Sequence, residues 1–127
     1  MFIQVLYVGV GGFIGAVARF CLYELTNKAG FTFPLATLLV NIIGSALLGF
    51  ILYSFTPGKI IPPEYRLFVN TGLIGAFTTM GTFAHETIAL LESGAYFTAI
   101  ANITLNVLLS LFAILGGKWT ALFWIKK

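Results

Sequence analysis

Asn70-Thr71-Gly72-Leu73-Ile74-Gly75-Ala76-Phe77-Thr78-Thr79-Met80-Gly81-Thr82-Phe83 is a polar, glycine-punctuated stretch inside the third of four long apolar segments. Its fourteen residues hold four threonines and three glycines, both poor helix formers. The composition predicts a spanning helix interrupted near its centre, around Gly75 to Thr79. Irregular backbone at membrane depth is tolerated only where protein buries it or where it lines a water-filled cavity. This stretch is therefore the expected seat of an ion or substrate.

The surroundings are those of a membrane protein. Of 127 residues, 59% are hydrophobic and 9% charged, with a mean hydropathy of +1.00. A soluble domain carries about 25% charged residues. A spanning helix takes about 20 apolar residues, so the length accommodates four spans with short loops. The expected organisation is one all-α transmembrane domain over residues 1–127, with spans near 2–25, 33–55, 65–91 and 96–124. Met1 to Phe20 has neither a positive n-region nor an Ala-x-Ala cleavage site, and reads as the first helix rather than a signal peptide. Pro34 stands at the start of the second span, where proline is tolerated. The second span stops at Thr56-Pro57-Gly58-Lys59, and Pro62 and Pro63 sit in the connector that follows.

A net charge of +3 gives no support to nucleic-acid binding. Lys126 and Lys127 follow Trp119 and Trp124, as interfacial anchors do. The single Cys21 cannot form an intrachain disulfide. With four spans, Lys59, Arg66, Lys118, Lys126 and Lys127 share one side, against Arg19 and Lys28 on the other. That bias of five against two favours a cytoplasmic location for the first set and leaves insertion in both orientations open.

Close helix packing is written in small residues. Gly11 and Gly15 form a GxxxG pair, and Ser45 with Gly49 and Gly72 with Ala76 follow the same spacing. Polar residues are spaced with equal regularity. Thr37, Asn41 and Ser45 share one face of the second span; Asn102, Asn106 and Ser110 share one face of the fourth, extended a turn by Thr98. Such stripes serve either as interhelical glue or as the walls of a polar track, and their match to the broken third span favours the track.

Charge is missing where a proton relay would need it. No acidic or basic residue lies between Phe33 and Phe55, Val69 and Ala84, or Tyr96 and Gly117. His85 and Glu86 are adjacent and diverge on a helix. Glu86 and Glu92 lie towards the end of the third span, where water is close. Arg19, deep in the first span, either draws anions to a vestibule or snorkels to the headgroups. The remaining chemistry is uncharged: amides, hydroxyls, freed backbone groups, and the positive ring edges of phenylalanines such as Phe77 and Phe83 that flank the interruption.

Three blocks resemble the small fluoride channels of the Fluc or CrcB family. Gly11-Gly12-Phe13-Ile14-Gly15-Ala16-Val17-Ala18-Arg19-Phe20 is similar to that family's GGxxGAxxR(Y/F) opening. Phe33-Pro34-Leu35-Ala36-Thr37-Leu38-Leu39-Val40-Asn41-Ile42-Ile43-Gly44-Ser45 is similar to FPxxTLxVNxxGS. The stretch from Gly72 to Phe83 resembles the GxxGxxTTFSTF core. The resemblance implies an antiparallel, dual-topology homodimer in the bacterial inner membrane, with fluoride as the transported ion, two pores, and a central structural Na⁺. It implies that carbonyls of Gly75 and Thr78 from both subunits hold the Na⁺, and that Asn41, Thr82 and Phe83 belong to the fluoride pore. It also puts Asn102, Asn106 and Ser110 in the track and Arg19 at the vestibule.

The chain departs from the pattern at Met80, where the first pore phenylalanine is expected, and at Gly81, where a serine is expected. A thioether replaces a polarised ring edge and a hydroxyl donor is lost, so the expected result is reduced fluoride throughput with fold and Na⁺ site intact. Two other readings compete. A four-helix multidrug-type antiporter would carry a glutamate in the first span, and Phe2 to Leu22 has none. A non-conducting membrane subunit would leave the polar stripes without a purpose. No nucleophile–base pair, metal cluster or phosphate loop suggests an enzyme.

Overall fold

The computed structural model describes residues 1–55 and 62–125. The expected stop at Thr56 to Lys59, most of the loop before Pro62, and Lys126 and Lys127 lie outside these. Among the described residues the only regular structure is helical, and four helical segments are long and apolar enough to cross a membrane.

α1 covers Phe2–Lys28, α2 Leu35–Ser54 and α5 Tyr96–Ile125. The third segment, Pro63–Glu92, is split into α3, residues 63–77, and α4, Met80–Glu92. Within α3 the stretch Arg66–Ile74 is π-helical, and the N–H of Gly75 closes onto the Asn70 carbonyl five residues back. π-helical turns are rare and cluster at functional sites. Pro63 opens α3 rather than staying in the connector, because a proline in the first turn has no helical N–H to lose. Pro34 stands just before α2 and makes no side-chain cap bond. Just past the end of α4, the left-handed backbone of Gly94 (φ +79°) lets the Ala95 N–H reach the Leu90 carbonyl at 2.9 Å.

The bundle is assembled from two backbone-close seams, α1 against α3 and α2 against α5. A Cβ on Gly11 or Gly15 would come within 2.2 or 2.1 Å of the Phe68 or Leu73 carbonyl oxygen. On the other seam, a Cβ on Gly49 or Gly117 would meet the Ile114 or Ala46 carbonyl oxygen at 2.2 or 2.1 Å. Only glycine permits this approach, which replaces the hydrophobic drive missing between helices in lipid. Gly117 is a contact the small-residue spacings did not pick out.

Burial is sparse outside these seams and the break. α1 buries only Gly11 and Gly15, while Phe13, Phe20 and Phe97 are 72%, 64% and 87% exposed within the single chain. The largest fully buried side chains include Thr37 and Asn102 beside Val40. A chain with its polar groups inside and its phenylalanines outside is built for an apolar surround.

Candidate functional site

The interruption falls at Thr78 and Thr79. Thr78 has ψ 159° and Thr79 φ −148°, ψ 116°, both extended, between two helical halves. The β-branched threonines suit that conformation. Extended backbone in a helix frees polar groups, and both backbone groups of Thr79 are taken up by a side chain from another segment. The Thr79 N–H donates to Asn41 Oδ1 at 2.9 Å, and Asn41 Nδ2 donates back to the Thr79 carbonyl at 3.2 Å. One carboxamide thus pairs with the N–H and C=O of one residue, as a neighbouring antiparallel strand would. Thr79 Oγ1 accepts the Thr82 N–H at 3.2 Å, capping α4, and donates to Thr82 Oγ1 at 3.0 Å. Thr78 Oγ1 and N–H both donate to the Ile74 carbonyl, each at 3.0 Å.

From Asn41 a chain of amides runs into the bundle. Its Nδ2 also donates to Asn106 Oδ1 at 2.9 Å. Asn106 Nδ2 donates to the Asn102 side-chain and backbone oxygens at 2.9 and 3.1 Å, and Asn102 Nδ2 donates to Thr87 Oγ1 at 3.0 Å. Thr87 closes the run on the Phe83 carbonyl at 2.7 Å. The two polar stripes of α2 and α5 therefore meet at Asn41 and Asn106.

A cavity of about 400 Å³ opens at the break. Asn41, Asn106, Ser110, Met80 and Phe83 line it, as do Gly75 and Thr78. Asn70, Ser45 and Thr79 complete its polar wall. No acidic or basic side chain takes part. Asn102 is fully buried behind Asn106, outside this wall. Gly81 is exposed and has nothing within 4 Å of where a Cβ would stand. Thr82 and Arg19 border a different hollow of about 380 Å³, with Tyr23 and Glu24 of α1. The Arg19 guanidinium turns inward from it, donating from Nη1 to the Thr78 carbonyl at 3.4 Å.

Two features escaped sequence reasoning. Asn70 was visible only as one polar residue in a poor helix; the π-helical backbone is what places it on the cavity. Glu86, expected near water, accepts from Thr37 Oγ1 at 2.8 Å, while Tyr23 Oη bonds Thr37 in turn. Its other oxygen, Oε2, is buried with no partner among the described residues. Thr37 had been legible as a stripe member, but nothing in the spacing paired it with Glu86.

This geometry meets its comparison at residues 6–118, which match the family described as CrcB-like protein, Camphor Resistance (CrcB). The chain belongs to the CrcB family. It is 44% identical over 121 residues to the fluoride-specific ion channel FluC of Methanocaldococcus jannaschii, covering 94% of each chain. It is 43% identical over 118 residues to fluoride-specific ion channel FluC 1 of Methanosarcina acetivorans, covering 93% of this chain and 90% of that one. The fluoride-specific ion channel FluC of Shewanella woodyi is 43% identical over 116 residues, with 91% and 93% covered. Membership and four spanning helices together make this CrcB protein a multi-pass membrane protein.

Proposed function

We propose that this CrcB protein is a fluoride-selective channel that lets cytoplasmic fluoride leave passively through the cavity at the third-segment break. The supporting observation is a cavity at membrane depth whose polar wall consists entirely of amides, hydroxyls and broken-helix backbone. A compact, strongly hydrated anion needs uncharged donors that replace its water without trapping it. A carboxylate in that wall would repel it, and an ammonium would hold it.

The functional unit in this reading is an antiparallel, dual-topology homodimer in the bacterial inner membrane, with two pores. The outward-facing phenylalanines and the half-open cavity support a second copy that closes the wall. Asn41, Asn106 and Ser110 belong to the pore, with Phe83 presenting its ring edge and Met80 beside it; Asn102 supports the track from behind, and Thr82 with Arg19 lies at its vestibule side.

A central Na⁺ fits the residues present. Because the Thr79 N–H goes to Asn41, the Gly75 carbonyl is released from its helical partner. The Thr78 carbonyl accepts from Arg19 and keeps a second lone pair. Among the described residues no cluster of three His, Cys, Asp or Glu side chains competes as a cation site. Gly75 and Thr78 would hold the ion, which supplies positive charge that ties two breaks together.

Fluoride efflux from proteoliposomes, followed with a fluoride electrode, tests the channel. Expected is rapid fluoride release, no chloride release, and no dependence on an imposed pH gradient. Drug-proton exchange without fluoride flux would replace this reading with the antiporter, and silence towards both would replace it with a non-conducting subunit.

A further inference from the structure

The cavity wall can be sorted by which hydrogen-bond donors are already spent. Both N–H bonds of Asn41 are committed, to the Thr79 carbonyl and to Asn106 Oδ1. Both N–H bonds of Asn106 go to Asn102. The Thr78 hydroxyl is committed to Ile74, and the Thr79 hydroxyl to Thr82. An anion in the cavity gains nothing from these groups unless it first breaks a buried bond.

Three side chains on the same wall differ. Ser45 and Ser110 have no side-chain hydrogen bond among the described residues, and neither has Asn70. Asn70 Oδ1 is buried and unpartnered, so the reachable end of that carboxamide is its Nδ2 group, with both N–H donors free. An unpaired buried acceptor is costly and is kept only for a reason. As placed here, the carboxamide nitrogen faces the cavity and the repulsive oxygen lies away from it.

We infer that Asn70, together with Ser45 and Ser110, donates the side-chain hydrogen bonds that fluoride receives in this cavity, beside the Phe83 ring edge, while Asn41, Asn106 and Asn102 act as positioning residues that hold the break open. The inference rests on the channel reading above. It adds a residue from the π-helical stretch and one from the α2 stripe to the pore, and it assigns the asparagine chain a different task from ion contact.

The test uses the full chain in liposomes, with fluoride efflux and its half-saturating fluoride concentration as readouts, and thermal unfolding in detergent as the control. Asn70→Leu removes the donors and the orphaned oxygen together, so flux should fall about tenfold or more while the unfolding midpoint does not drop. Asn70→Ser keeps a donor and should retain flux within about threefold of wild type, with a higher half-saturating concentration. Ser45→Ala should lose about threefold. Wild-type flux in Asn70→Leu overturns the inference, as does a lowered midpoint in Asn70→Leu together with flux loss in Asn70→Ser. No fluoride flux from the wild-type protein overturns the channel reading itself, a separate outcome.

Discussion

Two groups of polar side chains surround the same interruption and have opposite states. Asn41, Asn106, Asn102 and Thr87 form a continuous chain in which every amide N–H on the cavity side is bonded within the protein. Asn70, Ser45 and Ser110, on the same cavity, have no side-chain partner among the described residues. In a low-dielectric interior a saturated network rigidifies what it touches, whereas an unspent donor stays available to a ligand. Both groups are uncharged, and in the proposed division the state of the hydrogen bonds is what distinguishes scaffold from contact surface.

The contrast breaks most severely at Asn41→Asp. The variant puts a carboxylate oxygen against the Thr79 carbonyl and Asn106 Oδ1, where two N–H donors stood. Loss of all measurable fluoride flux is expected, with a stability loss of about 1–3 kcal/mol from a part-buried carboxylate oxygen facing two acceptors. Stability like wild type in denaturant titration would mean that Asn41 does not support the break.

Phe83→Ile retains apolar bulk at a side chain that is 8% exposed but removes the positive ring edge. Flux should drop about tenfold with stability within about 1.5 kcal/mol of wild type, as expected for a near volume-conserving swap. If efflux were undiminished, the ring would be packing alone.

Thr87→Val tests the far end of the saturated chain. It leaves Asn102 Nδ2 buried without its acceptor, which costs about 1–3 kcal/mol. A lower unfolding midpoint with only a small change in flux would place the chain on the scaffold side. A flux loss that exceeds the stability loss would blur the distinction.

The smallest effect is expected from restoring the family residues. Met80 is 73% exposed within the single chain and Gly81 has open space around it, so Met80→Phe with Gly81→Ser should fit without strain. Fluoride efflux should rise about threefold at unchanged stability, on the scale of one aromatic edge and one hydroxyl. Equal efflux from the two proteins would show that neither position limits throughput.

Much of this was readable in the chain. The four spans follow from hydropathy, and the interruption from threonines and glycines crowded between apolar runs, because neither signal needs a partner to be recognised. The glycines at 11 and 15 were legible as a seam for the same reason. Gly117 and Glu86 were not: the one depends on the distant Ala46 carbonyl, the other on Thr37 and Tyr23 of two other helices.

Sequence alone determined that this protein crosses a membrane four times, carries no charge along its central stripes, and cannot keep its third span as a continuous helix. Those properties follow from local composition, since lipid penalises every exposed polar group regardless of the fold. Which donors are spent and which remain free was decided only by the tertiary structure. That depends on a carboxamide of α2 reaching the Thr79 peptide and on a π-helical turn carrying Asn70 to the cavity. Hydrogen-bond pairing is a property of two groups brought within 3 Å of each other, and no spacing along a single chain specifies it.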